Sequence, residues 1–322
     1  MEWWIWVLII IASLVVITAI VFFCVSIYFF RFTILRKPTA TLDKNINANT
    51  NWHQHIPFIE KRKEWFVQQN IQEVSVTSDD GLKLCGILIK NENNSNKVVI
   101  CFHGYTADGV SNYTAMSKFF YEQGFNVLLV DQRAHGKSEG KYIGFGVLDR
   151  RDAVKWIDFS IKTFGKDCTI FLHGTSMGAS TVLMTSGLEL PENVKGIIAD
   201  CGFTSAYNVF SHILKRDYHL PKFPLMNLTE IWTKHFAGYG YNDVCTLDEV
   251  KKTKIPILFI HGDKDDFVPT YMGEQNYEAC NSEKMLLIVK GADHAESYYT
   301  GTEEYEKTAK EFFEKCTSKQ AK

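Results

Sequence analysis

From Trp3 to Phe30 the chain runs for 28 residues without a charge, and no other feature limits its folding as strongly. At about 1.5 Å rise per residue a helix of that length measures about 42 Å. That is enough to cross a hydrocarbon core of about 30 Å, with tilt or overhang. Trp3, Trp4 and Trp6 at one end and Tyr28 at the other suit the two interfacial zones, where an aromatic ring is half wet. A cleaved signal peptide would need a basic start, a shorter apolar stretch and a small-residue cleavage site. Here Glu2 is the only early charge, and Tyr28-Phe29-Phe30-Arg31 closes the run. The expectation is an uncleaved, single-pass transmembrane anchor over residues 3–30. Arg31, Arg36 and Lys37 lie just after it and no Lys or Arg precedes it, so the positive-inside rule places the rest of the chain in the cytoplasm. Seven of the eight cysteines lie beyond the span with no C-x-x-C pair, which reads as free thiols in a reducing compartment. Three Asn-x-Ser/Thr sites, at Asn93, Asn112 and Asn227, read as chance matches in an Asn-rich sequence.

Beyond the anchor, Pro38 to Asn51 has the Thr, Asn and Ala content of an exposed spacer. Pro57 to Gln69 reads as a helix that docks on the domain, with Ile59, Phe66 and Val67 near one face. Because the spacer offers no core, deleting residues 1–50 is expected to leave a soluble, folded domain. Lys+Arg 35 balances Asp+Glu 37 with no basic block, so a nucleic-acid partner is excluded as the main business.

From residue 70 to 318 short β-rich runs alternate with helical stretches, the pattern of an α/β fold with a mostly parallel sheet. Glu73–Thr77 and Leu82–Ile89 read as an opening hairpin around Asp79-Asp80-Gly81. Six apolar runs come next: Val98–Phe102, Phe125–Val130, Cys168–Leu172, Val194–Ala199, Ile255–Ile260 and Lys284–Val289. Their continuous apolar character suits strands covered on both faces. Phe203–Val250, too long for one crossover, reads as an inserted helical cap, rich enough in aromatics to line an apolar acyl pocket.

Gly174-Thr-Ser176-Met-Gly178 follows one such strand and precedes a helix predicted over Met177–Leu188. That is the setting of a G-x-S-x-G elbow, a turn so sharp that glycines must avoid Cβ clashes while the serine Oγ is projected outward. A nucleophilic serine needs a base. Of ten histidines, His53 and His55 precede the domain, and His212, His219 and His235 fall in the cap. His103, His135, His173 and His261 each precede a glycine at a strand end. His294 remains, in the turn after the last strand and before a helix predicted over Glu303–Lys315. An acid must hold the histidine tautomer, and Asp263, Asp265 and Asp266 after the preceding strand are all candidates on spacing alone.

Taken together these segments resemble the α/β-hydrolase superfamily, in particular membrane-anchored bacterial serine hydrolases with a serine-aminopeptidase-like or acylglycerol-lipase-like domain. The resemblance covers residues 70–318. Its H-G-x-x-D-x-x-V-P pattern, laid on His261 to Pro269, selects Asp265 and implies the triad Ser176, Asp265, His294. The segment Phe102-His103-Gly104-Tyr105 implies an oxyanion hole from the backbone N–H groups of Tyr105 and Met177. Asp131-x-Arg133-x-His135-Gly136-x-Ser138 and Asp200-Cys-Gly-Phe203 are similar to scaffold motifs of that family, with Ala134 where it commonly has glycine.

Other chemistries lack their residues. His135-Gly-Lys-Ser138 misses the first glycine of a phosphate loop, because Asp131 stands there; Gly144-Phe-Gly146 misses the third glycine of a dinucleotide fingerprint; and there is no H-E-x-x-H pair. Neither cofactor nor metal is expected. The function expected is carboxylic ester hydrolysis through an acyl-enzyme, on small-molecule or lipid-like esters beside the membrane. Alternatives are peptidase action on short peptides, or a non-catalytic hydrolase-like binding module.

Overall fold

A computed structural model describes residues 2–39 and 50–318. Most of the stretch expected as spacer, residues 40–49, lies outside the described residues. Helix α1 (Trp3–Ile34) is the one helix among the described residues long and apolar enough to cross a membrane. It runs four residues past the uncharged stretch.

The sheet has eight strands: β1 (Ile71–Thr77), β2 (Lys83–Ile89), β3 (Lys97–Phe102), β4 (Asn126–Val130), β5 (Thr169–Thr175), β6 (Val194–Asp200), β7 (Ile257–Gly262) and β8 (Lys284–Val289). Their order is β1-β2-β4-β3-β5-β6-β7-β8, with β2 antiparallel to both of its neighbours, β1 and β4, and the remaining pairings parallel. This is the expected α/β-hydrolase architecture.

Burial on both faces explains the apolar runs. In β3, Val99 and Cys101 face one core while Val98, Ile100 and Phe102 face the other, the two-residue alternation of an extended chain. The first core is closed by α2 (Ile56–Phe66), α3 (Gly109–Glu122), the short α10 (Ser297–Thr300) and α11 (Thr302–Ser318), through Phe66, Phe119, Phe120, Tyr298, Phe312 and Phe313. The second is closed by α4 (Asp149–Phe164), α5 (Met177–Thr185), α8 (Thr246–Lys252) and α9 (Thr270–Ala279). The docking expected of α2 is present, with Ile59 and Phe66 buried and Arg62 paired to Glu306 of α11 at 3.1 Å. Helix α5 ends three residues before the predicted Leu188.

Between β6 and β7 the insertion is built from α6 (Ala206–Tyr218) and α7 (Leu225–Ala237). It ends earlier than expected, because Val250 of α8 is buried in the second sheet core. The cap forms its own apolar cluster with Phe145 and Val147, and α1 joins it through Phe30 and Ile34. Trp232 of α7 donates its Nε1–H to Ser26 at 2.9 Å, and Phe29 meets Tyr218 edge-on at 4.8 Å. The chain leaving α1 stays docked: Ile143 N–H bonds Ile34 O at 2.8 Å, and the Arg36 guanidinium caps the carbonyls of Gly136 and Ser138. A cut at residue 50 would therefore not simply release a tether. It would take buried Phe30 and Ile34 out of the cap cluster, at about 1.5–3 kcal/mol each, together with the guanidinium that ties down the Gly136 turn.

Candidate active site

Four loops that converge on one spot leave the carboxyl ends of β3, β5, β7 and β8. The sheet order reverses around β3, so its exit loop and that of β5 open a crevice at that edge, where open α/β sheets bind ligands.

The elbow joins β5 to α5. Ser176 sits at φ 55°, ψ −114°, in the positive-φ region that side chains avoid. Two glycines make the turn sterically open. A Cβ on Gly178 would collide with the Phe102 carbonyl of β3, and one on Gly174 with the Gly178 carbonyl. The backbone is pinned by Ser176 N–H bonding Asp200 O of β6 at 2.8 Å.

Ser176 Oγ lies 2.8 Å from His294 Nε2, and His294 Nδ1 lies 2.8 Å from Asp265 Oδ2. The carboxylate accepts the Nδ1 proton, which leaves Nε2 with a lone pair for the serine hydroxyl. Geometry separates the three acids that spacing could not. Asp265 is buried, its other oxygen accepting the N–H groups of Phe267 and Val268 at 3.0 and 2.8 Å. Asp263 instead accepts Gly291 N–H at 2.6 Å, bracing the loop ahead of His294. The Asp266 side chain is 76% exposed.

Burial alone would raise the Asp265 pKa, but His294 and then His261 outweigh it and hold the carboxyl well below the usual range. For His294, burial favours the neutral ring, yet the Asp265 carboxylate prevails and its pKa is raised above the ordinary 6.5. Asp200, fully buried beneath the pair, is pushed up to about 6 by desolvation.

Tyr105 and Met177 flank Ser176. Met177 opens α5, where the first N–H groups have no partner within the helix. Among the described residues neither its N–H nor that of Tyr105 is taken by another protein acceptor. A Cβ added to Gly104 would come 3.5 Å from Ser176 Cβ, so this loop abuts the serine.

The side chains that hold this loop went partly unread in the sequence. Asn112, noted in the sequence only within a chance glycosylation match, accepts Gly104 N–H at 2.8 Å, and His135 Nε2, in the motif read as scaffold, accepts Thr106 N–H at 3.2 Å. Burial pushes the His135 pKa down to about 3, so the ring stays neutral and can accept. The hydroxyl of Tyr105 donates to Phe32 O or Thr33 O of α1, at 3.2 and 3.1 Å. Ala134 adopts φ 60°, the left-handed conformation that costs an alanine about 1–2 kcal/mol and explains why glycine suits that place. Histidines 103, 173 and 261 are buried and hydrogen-bonded within the frame.

Cys201, Asp265 and His294 bring ligand-type atoms within 4.8 Å of one another. Burial raises the Cys201 thiol far above its ordinary pKa, and a protonated thiol is a poor metal ligand. Asp265 and His294 are already engaged with each other. The donor set fits a hydrogen-bonded relay better than a metal centre.

A cavity of about 780 Å³ opens beside Ser176, within the range of about 300–1,000 Å³ usual for small-molecule sites. Phe145, Phe210, Ile213 and Leu214 give it an apolar wall.

Among known proteins, a family model for the alpha/beta hydrolase fold matches residues 97–231. The uncharacterized protein YqkD of Bacillus subtilis is 32% identical over 251 residues, covering 78% of this chain and 82% of that one. The uncharacterized membrane protein YNL320W of Saccharomyces cerevisiae is 27% identical over 67% of this chain and 70% of its own. The structure of the Pyrococcus furiosus esterase Pf2001 superposes with a TM-score of 0.62 at 26% identity, over 77% of this chain and 91% of the esterase. Sheet order, family match and a relative aligned along most of both chains agree: this protein belongs to the α/β-hydrolase superfamily.

Proposed function

We propose that this hydrolase is a membrane-anchored serine esterase that cleaves carboxylic esters through an acyl-enzyme on Ser176. The observation that carries the reading is the unbroken relay Ser176 Oγ, His294, Asp265, with both contacts at 2.8 Å. The likeness to an enzyme named as an esterase favours esters over peptides.

In the first step His294 Nε2 takes the Ser176 proton as Oγ adds to the ester carbonyl, and Asp265 stabilises the imidazolium. The N–H groups of Tyr105 and Met177 bind the oxyanion; such donors contribute roughly 3 kcal/mol each to lowering the barrier. His294 then hands the proton to the departing alcohol. Water attacks the acyl-enzyme with His294 again as base, releasing the acid and restoring Ser176. The hydrolase unit is residues 70–318 with the cap inserted in it. Residues 3–30 anchor it in the membrane, and Arg31, Arg36 and Lys37 put the domain on the cytoplasmic side.

Because attack needs neutral imidazole, and the His294 pKa is raised above 6.5, kcat/KM for a small soluble ester should fall on the acid side with an apparent pKa above that value. The check is a pH–rate profile of the detergent-solubilised protein, run beside a panel of acyl esters and aminoacyl amides. Cleavage of amides alone would replace the esterase with a peptidase. Turnover of neither would leave a binding module, and ester turnover undiminished well below pH 6.5 would remove His294 as the base. For orientation, a membrane-impermeant fluorophosphonate probe should leave the protein unlabelled in intact cells and label it once the membrane is opened. Labelling of intact cells would reverse the topology.

A further inference from the structure

The cavity beside Ser176 is not closed by the cap alone. Helix α1 contributes Phe29, Phe32 and Thr33 to its lining, together with Ile213 and Leu214 of α6. Phe32 and Tyr218 both line it while 43% and 39% exposed, so it reaches the surface alongside α1. Beside that mouth the Tyr28 ring stacks on Phe32 at 5.8 Å where the uncharged run of α1 ends, and Leu220, two residues beyond Tyr218, is exposed. Water is a poor solvent for such a rim, and an acyl chain leaving a lipid phase meets it first. The same turn of α1 accepts the Tyr105 hydroxyl proton through the carbonyls of Phe32 and Thr33. The helix therefore borders the cavity and braces Tyr105, whose N–H the ester-hydrolase reading assigns to the oxyanion.

We propose that the inner end of α1 is a wall of the acyl pocket, that Phe29, Phe32 and Thr33 set its chain-length preference, and that the substrate is a long-chain acyl ester whose chain lies against them. This rests on the ester-hydrolase reading above. Apolar surface is what such a wall offers, and each methylene moved onto it from water favours binding about fourfold. A helix that served only as a tether would leave chain-length preference indifferent to these side chains.

The test uses the full-length protein in detergent and p-nitrophenyl esters from butyrate to hexadecanoate. Wild type should prefer dodecanoate or longer to butyrate in kcat/KM. Thr33→Trp, which fills the cavity from the α1 side, should lower the dodecanoate-to-butyrate ratio by about tenfold or more. Phe29→Ala should shift the preferred length. Val16→Trp, on the 57% exposed face of the span, should leave the ratio unchanged. Since a misfolded fraction lowers both rates alike, the ratio reads the pocket and not stability. A wild type that prefers butyrate, or a ratio unmoved by both Thr33→Trp and Phe29→Ala, overturns the proposal while the esterase stands. A wild type that cleaves none of the esters overturns both.

Discussion

Replacing Ser176 with alanine is expected to lower ester turnover on the order of a million-fold and to abolish covalent labelling by fluorophosphonates, while the melting curve stays close to wild type. The rate effect is large because Oγ is the atom that forms the acyl bond, and members of such a relay fail together when the nucleophile is lost. The fold is spared because the strain at φ 55° is a property of the backbone, which alanine shares with serine. The turn is secured by Ser176 N–H on Asp200 O and by the two glycines, none of which the substitution touches. Turnover that persists in the alanine variant at the wild-type level would remove Ser176 from the chemistry.

The second large effect is expected at the acid. Asp265→Asn should cost about ten-thousand-fold in kcat, whereas Asp263→Asn and Asp266→Asn stay within an order of magnitude of wild type. An asparagine amide presented to Nδ1 favours the tautomer that carries its proton on Nε2, and that nitrogen then points a hydrogen at Ser176 where a lone pair is required. Asp263 is different: its contact is acceptance of Gly291 N–H, which the carbonyl of asparagine can reproduce. Asp266 lies at the rim near His212 and Arg216. Parallel kcat measurements on the three variants, with thermal melts to exclude unfolding, decide the assignment. Asp263→Asn as the damaging change would move the acid by two residues.

The features legible without coordinates were local. The uncharged run of Trp3 to Phe30 identifies a candidate span because hydrophobicity and length act within one helix. Gly174 and Gly178 around Ser176 mark the elbow because a strand cannot turn into a helix in so few residues unless the Cβ positions are empty. The parallel sheet was legible as β-branched runs without alternation, since strands covered on both faces leave no solvent side to pattern. Helix ends were less legible: α5 stops at Thr185 with Ser186 as its C-cap and Gly187 next, a stop signal that the reading out to Leu188 passed over.

The remainder was decided in three dimensions. Asp263, Asp265 and Asp266 are equivalent by spacing, and only the approach of the β8 loop puts His294 Nδ1 against the second. The cap ended short of Val250 because that side chain found the sheet core. Most plainly, residues 31–37 offered the sequence only the charges that follow a span, yet Ile34, Arg36 and the carbonyls of Phe32 and Thr33 all meet the domain. Sequence by itself determined the candidate span, the elbow and the chain order of the candidate serine, acid and histidine, because sterics and hydropathy act between near neighbours along the chain. Only the tertiary structure made α1 part of the pocket, because its contacts with Tyr105, Tyr218 and Trp232 join residues far apart in the chain, and no local spacing encodes a contact between surfaces that meet only after folding.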